Sequence, residues 1–331
     1  MKQKNILVTG GAGFIGSNLC DALIEKNYHV VCLDNFSTGK MENISHLVRH
    51  PNFNLIGGDI RNMEDCKKAC KDINMVLHHA ALGSVLRSLK DPVSTNDVNI
   101  SGFLNMLVAA KETNVERFIY AASSSSYGDS QGLPKVEDII GNPLSPYAIT
   151  KYVNELYAGI FKKAYDFDTI GLRYFNVFGK RQDPNGAYAA VIPKFVMQFM
   201  DYESPVINGD EEYSRDFTYI KNVIQMNLLA ITTTNKDALN QVYNVGFGKR
   251  TTLNQLVNTL KDKLTKFDPK IAELTIEYAA ERAGDISHSL ASIEKAEKLL
   301  GYQPKYAIDA GLEEAIEWYW KNLKLVETEI L

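Results

Sequence analysis

The sequence predicts a doubly wound parallel α/β sheet with a smaller α/β substrate-binding lobe, and three observations lead to it. Short apolar runs alternate with helical patterns through the first half of the chain. A glycine-spaced turn joins the first run to the first helix, and the alternation weakens after residue 176. Composition permits such a fold: 331 residues, 45% hydrophobic and 23% charged, suffice for a large core or for two lobes sharing one. The formal net charge is −4 and no block of like charge occurs, so no nucleic-acid partner is expected.

Taken in order, residues 5–9, 29–33, 54–56, 75–79, 118–121 and 169–172 read as strands. Helical patterns at 14–26, 62–71, 94–113 and 145–165 separate them. This alternation implies right-handed crossovers and a parallel sheet. Beyond residue 176, segments rich in Gly, Pro, Asn and Asp interrupt short elements, while 216–220 and 242–245 look like strands rejoining the first lobe. The expected division is a dinucleotide-binding domain over 1–176, to which the chain returns near 215–250 and 289–305. A substrate-binding lobe is expected from 177–214, 251–288 and 306–331, with Leu312, Ala315, Trp318 and Trp320 on a packed amphipathic helix. Cys20, Cys32, Cys66 and Cys70 fall in apolar or helical patterns with no histidine at ligand spacing, so four buried thiols in a reducing compartment are expected. The first residues run into a strand without a leader-like stretch, and no apolar run approaches membrane-spanning length; a soluble, cytoplasmic protein without a membrane partner is the expectation.

Gly10, Gly13 and Gly16 lie between the first strand and the first helix. Gly10 permits a tight turn, Gly13 lets backbone approach a pyrophosphate, and Gly16 lets helix pack on strand, as in a Rossmann sheet. Glycines alone can mark any turn before a helix. Here the next strand ends at Asp34, where a carboxylate accepts both ribose hydroxyls of an adenosine and repels a 2′-phosphate. Asn35, Phe36 and Ser37 follow, with no arginine for NADP, so NAD is the expected cofactor.

Tyr147 and Lys151 are four apart at the start of a helix opened by Ser145-Pro146, which puts phenol and ammonium on one face. Bringing a tyrosine from a pKa near 10 to 7 takes about 4 kcal/mol. A cation about 6 Å away at an effective dielectric of about 20 supplies roughly 2.8 kcal/mol. Lys151 is therefore expected to do most of this, with the positive nicotinamide adding the rest. The run from Ser123 to Ser126 closes a strand whose carboxyl end borders the ligand crevice, where hydroxyls reach a substrate or merely satisfy a turn.

The glycines, Asp34, the serine run, Tyr147-x-x-x-Lys151 and the segment Arg173 to Gly179 together resemble the extended short-chain dehydrogenase/reductases. Along nearly its whole length the chain looks like bacterial UDP-N-acetylglucosamine 4-epimerases of the polysaccharide-biosynthesis type. The most specific stretches are 81–85, 145–155 and 181–194. The resemblance implies a UDP-sugar substrate, tightly held NAD and a homodimer paired through the helices at 94–113 and 145–165. By position, Ser123 matches the catalytic serine, Tyr147 the base and Lys151 its partner. Phe14, Ile15, Asn35, Ser37, Thr38 and Gly39 match cofactor positions, as do Asp59, Ile60, Ala80, Ala81, Asn99 and Tyr174. Ser84, Ser124, Ser125, Asn176 and Val191 match substrate positions, with Arg215, Arg282 and Asp285 around uridine and diphosphate. Ser289 matches the wall where a small residue admits an N-acetyl group. Leu86, the turn at 210–213 and Ser287 depart from the pattern.

Chemistry favours epimerisation independently. Dehydratases of this kind need an acid and a base beside the catalytic hydroxyl, and related decarboxylases often carry Glu there. The first acid after the serines is Asp129. Rival readings are a UDP-glucose or UDP-glucuronate 4-epimerase, a nucleotide-sugar decarboxylase, and a non-catalytic NAD-binding sensor; the last is expected to lack Tyr147 or Lys151. No metal site is expected, since adjacent His78 and His79 on a strand point to opposite faces.

Overall fold

A computed structural model describes residues 3–184, 190–210, 212–280 and 287–323. Its centre is a seven-stranded, wholly parallel sheet of β1 (Asn5–Thr9), β2 (His29–Asp34), β3 (Phe53–Gly57), β4 (Met75–His78), β5 (Arg117–Ser123), β6 (Thr169–Tyr174) and β11 (Gln241–Val245), in the order β11-β6-β5-β4-β1-β2-β3. The order reverses between β1 and β4, and at such a switch point the two crossovers diverge and leave a crevice at the carboxyl ends. Alternating residues of β1 feed two cores: Ile6 and Val8 pack on one face of the sheet, Leu7 on the other.

Helices α1 (Phe14–Glu25), α2 (Met63–Cys70), α3 (Val85–Lys90), α4 (Pro92–Asn96), α5 (Phe103–Glu112) and α6 (Pro146–Tyr165) connect the strands. The single helix expected over 94–113 is α4, a π-helical turn Asp97–Gly102 and α5. It starts earlier because Asp91 caps it, accepting from the Ser94 amide at 3.0 Å, and Pro92 follows in the first turn, where its missing N–H costs nothing. Gly102 closes the π turn against Ile60; a Cβ there would meet that side chain at 2.7 Å.

The rest of the chain supplies β7 (Val177–Phe178), α7 (Val191–Met200), β8 (Val206–Asn208), β9 (Ser214–Arg215), β10 (Thr218–Tyr219), α8 (Ile220–Thr232), β12 (Thr251–Thr252), α9 (Leu253–Thr265), β13 (Glu277–Ala279), α10 (Glu294–Leu300) and α11 (Ile308–Leu323). Residues 242–245 join the central sheet within β11, whereas 216–220 do not pair in that sheet. Only Thr218 and Tyr219 pair, with β7, and α8 begins at Ile220. The reason is Asp216: its carboxylate accepts the amides of Phe247, Gly248 and Ala291, which ties the strip to loops instead of a ladder. On α11, Leu312 and Ala315 are buried, while Trp318 and Trp320 pack partly buried against the same core. All four cysteines are buried free thiols. Among the described residues no helix is long and apolar enough to cross a membrane.

Candidate active site

The turn after β1 is drawn tightly onto its neighbours. The Gly10 amide donates to the Leu33 carbonyl at 2.8 Å and the Gly13 amide to Gly10 at 3.1 Å. Gly10 sits at φ +67°, and a Cβ on it would meet the Ala80 backbone at 2.7 Å. A Cβ on Gly16 would lie 2.1 Å from the Gly10 carbonyl oxygen, so only glycine lets α1 approach the strand this closely. Gly13 caps α1 without a side chain, which leaves the first-turn amides without side-chain partners. A cavity of about 380 Å³ opens over this turn. Gly10, Gly13, Phe14, Ile15, Gly16, Asp34, Asn35, Ser37 and Thr38 line it, with Asp59, Ile60, Ala80, Ala81, Tyr147, Lys151 and Tyr174.

At one end of the cavity, Asp34 is buried with each oxygen held by an amide: Oδ2 accepts from Ala12 at 2.9 Å and Oδ1 from Phe36 at 2.8 Å. Each oxygen keeps a lone pair for a hydroxyl donor, the arrangement a ribose requires. Asp59 is engaged by Arg61 and Asn35, and the Arg61 hydrogen bond holds its carboxyl far below the usual range. Bare first-turn amides, a glycine cradle and a carboxylate with free lone pairs together fit a dinucleotide. Two expected cofactor residues do not line the cavity. Gly39 lies behind Asp34, where a Cβ would stand 2.9 Å from both carboxylate oxygens. Asn99, on the π turn, accepts from the Leu82 amide at 2.8 Å and donates to its carbonyl at 3.1 Å, so it shapes the wall from outside.

The chemical group sits at the other end. Ser145 caps α6 by accepting from Ala148 at 3.1 Å, and Tyr147 and Lys151 follow on the first two turns. Ser123, ending β5, accepts from the Ser125 amide at 3.1 Å and from the Ser125 hydroxyl at 2.8 Å. The Ser123 proton is thereby left to donate onward. Lys151 donates to the Ala121 carbonyl at 2.8 Å, with its ammonium 5.9 Å from the centre of the Tyr147 ring. Burial raises the phenol above its ordinary value, against a hydrogen bond with Ser123, and pulls the buried Lys151 down to about 8. In the protein alone, then, burial outweighs the Ser123 hydrogen bond and keeps the phenol protonated. The dry pocket that would strengthen the attraction between Tyr147 and Lys151 also penalises both charges.

At this wall stand His79, placed by the sequence at the strand's end where it shapes the cofactor pocket, and Asn227, which sequence reasoning missed. His79 lines the cavity, whereas His78 is packed away between Phe103 and Phe118 with Nδ1 against Thr9. Asn227 of α8 donates to the Tyr174 hydroxyl at 2.9 Å, and that hydroxyl is hydrogen-bonded to His79 Nε2 at 2.8 Å. Burial holds His79 near 3, neutral under all ordinary conditions. Nothing local in sequence marks Asn227, which lies 53 residues from Tyr174.

A second cavity, about 290 Å³, shares Asn176 and Val177 with the first. Val191 and Arg215 line it, together with the unexpected Lys194, Phe195, Asn208 and Phe217. Arg215 is held by the Ser214 and Ser287 carbonyls at 3.1 and 2.9 Å. Four expected substrate residues line neither cavity, Ser125 among them: Ser84 caps α3, Ser124 opens the turn after β5, and Ser289 pairs through its amide with the Ser214 carbonyl at 3.0 Å. Ser125 bonds Ser123 instead of facing a cavity. Arg282 and Asp285 lie outside the described residues.

Residues 6–246 match the model of the NAD dependent epimerase/dehydratase family. The structure is similar to that of UDP-N-acetylglucosamine 4-epimerase from Methanobrevibacter ruminantium M1 in complex with UDP-N-acetylmuramic acid, at 41% identity and a TM-score of 0.90, covering 97% of this chain and 99% of that one. It is similar to UDP-glucose 4-epimerase from Thermotoga maritima with UDP-glucose, at 37% identity and a TM-score of 0.88, covering 96% and 99%. It is also similar to UDP-glucuronic acid 4-epimerase from Bacillus cereus in complex with UDP-glucuronic acid and NAD, at 33% identity and a TM-score of 0.87, covering 96% and 99%.

Proposed function

The chain belongs to the NAD dependent epimerase/dehydratase family, and from that premise we propose that it inverts carbon 4 of a UDP-hexose, with UDP-N-acetylglucosamine as preferred substrate. NAD, when bound, supplies the hydride acceptor and later the hydride donor. Tyr147 takes the proton from the sugar hydroxyl and returns it, Ser123 holds the reacting oxygen, and Lys151 faces the nicotinamide ribose. Asp34 receives the adenosine ribose, and the second cavity, with Arg215 and Val191, takes the uridine diphosphate. The protein alone holds the Tyr147 phenol neutral, and the charge of a bound NAD would favour its phenolate.

One observation carries the reaction type. The only acids lining the first cavity among the described residues are Asp34 and Asp59, at the adenosine end, and Asp129 is turned away onto Asn142. With no carboxylate among the described residues beside Tyr147 and Ser123, elimination lacks its acid–base pair, whereas hydride removal and return need none. The sugar preference rests on the likeness to the M. ruminantium enzyme and on the sequence match of Ser289, which stands next to the cavities without lining them. We further assign residues 1–176, with returns near 215–250 and 289–305, to the cofactor lobe, and place a homodimer contact on the helical stretches 94–113 and 145–165, where Ile149, Leu156 and Ile160 are exposed.

The test is incubation with UDP-N-acetylglucosamine, UDP-glucose and UDP-glucuronate, resolving carbon-4 epimers by chromatography. Epimers should form without stoichiometric added NAD, and denaturation should release NAD; turnover only with net NAD consumption would sink the reading. Ser289→Tyr should lower kcat/KM for UDP-N-acetylglucosamine by about tenfold or more, because overfilling a packed wall costs roughly 1–3 kcal/mol. Activity on UDP-glucose should persist, and equal losses on both sugars would remove the gate.

A further inference from the structure

Asp216 lines neither cavity, yet its carboxylate is fully buried at the point where the walls of the second one meet. Oδ1 accepts from the Phe247 amide at 2.8 Å, and Oδ2 from Gly248 at 3.0 Å and Ala291 at 3.2 Å. Its own carbonyl accepts from the Asn176 side chain at 3.0 Å. Asn176 lines both cavities, and the neighbours of Asp216 in sequence, Arg215 and Phe217, line the second. One side chain thus ties together the strip bearing Arg215, the loop after β11, and the segment carrying Ser289.

We propose that Asp216 is a positioning residue for the UDP-sugar: it touches no ligand, and it sets the placement of Arg215, Phe217 and Asn176 around the second cavity. This rests on the reading of that cavity as the uridine diphosphate site. Three donors converge on two acceptor oxygens, so an ionised carboxylate satisfies all of them and an amide cannot, because its NH2 would face an N–H. There is no slack to rearrange. A Cβ on Gly246 would stand 2.7 Å from Oδ2 and 2.6 Å from the Ala291 Cβ.

Two variants test the clamp from opposite sides. Asp216→Asn keeps the shape and removes acceptors, while Gly246→Ala keeps the carboxylate and displaces it. Each would be checked by circular dichroism and for NAD released on denaturation, then measured for KM, kcat and calorimetric affinity for UDP alone. The expected result is folded protein with its NAD, kcat within about threefold of the parent, and KM and the UDP Kd raised about tenfold or more. Unchanged UDP affinity in either folded variant overturns the proposal, as does a loss spread equally over NAD content and kcat. If only Gly246→Ala folds, it decides alone; failure of both to fold assigns Asp216 to overall stability and also overturns it. A parent protein that retains NAD but binds no UDP would instead refute the underlying reading of the cavity, and the clamp with it.

Discussion

At Tyr147, burial and the Ser123 hydrogen bond pull the phenol in opposite directions, and burial prevails. A base that is neutral in the protein alone and is activated by the cofactor's charge would deprotonate only in the loaded site. Tyr147→Phe should therefore cut kcat by about two to four orders of magnitude, the usual worth of a positioned acid–base group, with KM changed little because the ring remains. Near-parental turnover would show that another group takes the proton. In Lys151→Ala, the NAD content of the purified protein should fall as well.

Between elements, the buried pair Arg173–Glu155, 2.7 Å apart, joins β6 to the helix that carries Tyr147 and Lys151. Arg173 also donates to the Glu137 carbonyl at 2.9 Å and covers the Tyr127 ring at 4.8 Å, so the turn after Ser123 rests on the same guanidinium. Removing one partner of such a pair leaves an uncompensated buried charge. Glu155→Leu should thus cost about 3–5 kcal/mol, read from the urea midpoint. A loss below about 1 kcal/mol would mean that water reaches the guanidinium. The π turn at Asp97–Gly102 was not legible in sequence, since one extra residue in a helix barely disturbs its apolar period; only contact with Leu82 and Ile60 exposes it.

For the whole molecule, the pH dependence of stability follows from groups buried in the fold. Burial depresses His78 well below 6.5 and His79 to about 3, so between those values the unfolded chain binds the protons. Their contribution is complete above pH 6.5 and is lost as pH falls, at about 1.4 kcal/mol per pH unit for each histidine within that window. Asp216, raised to about 6, acts oppositely between 6 and its ordinary 3.8, which leaves a net loss on acidification. Urea midpoints at pH 7, 6 and 5 should fall in that order, and a flat series would contradict the buried neutral histidines. For assembly, light scattering should give about twice the 37.0 kDa chain mass, and Leu156→Glu with Ile160→Lys should return it to one chain. A single-chain mass for the parent protein would remove the homodimer.

Sequence alone determined what depends on local chemistry. The glycine spacing specifies a turn that no other residue fits, Asp34 ends its strand on an alternation visible in the apolar pattern, and Tyr147 and Lys151 share a face by helical period. Gly39, Asn99 and Ser84 lie beside the cavities without lining them, and position in a motif does not say on which side of a wall a residue stands. Tertiary structure alone decided the contacts of Asp216, whose partners lie 31, 32 and 75 residues away, and of Asn227, which donates to the Tyr174 hydroxyl beside His79. It also decided that Tyr147 and Lys151 are both buried, which opposes the charged form of each. Periodicity reports which face of an element is dry, but how dry a charge's surroundings are depends on every segment packed around it, and those segments meet only when the chain is folded.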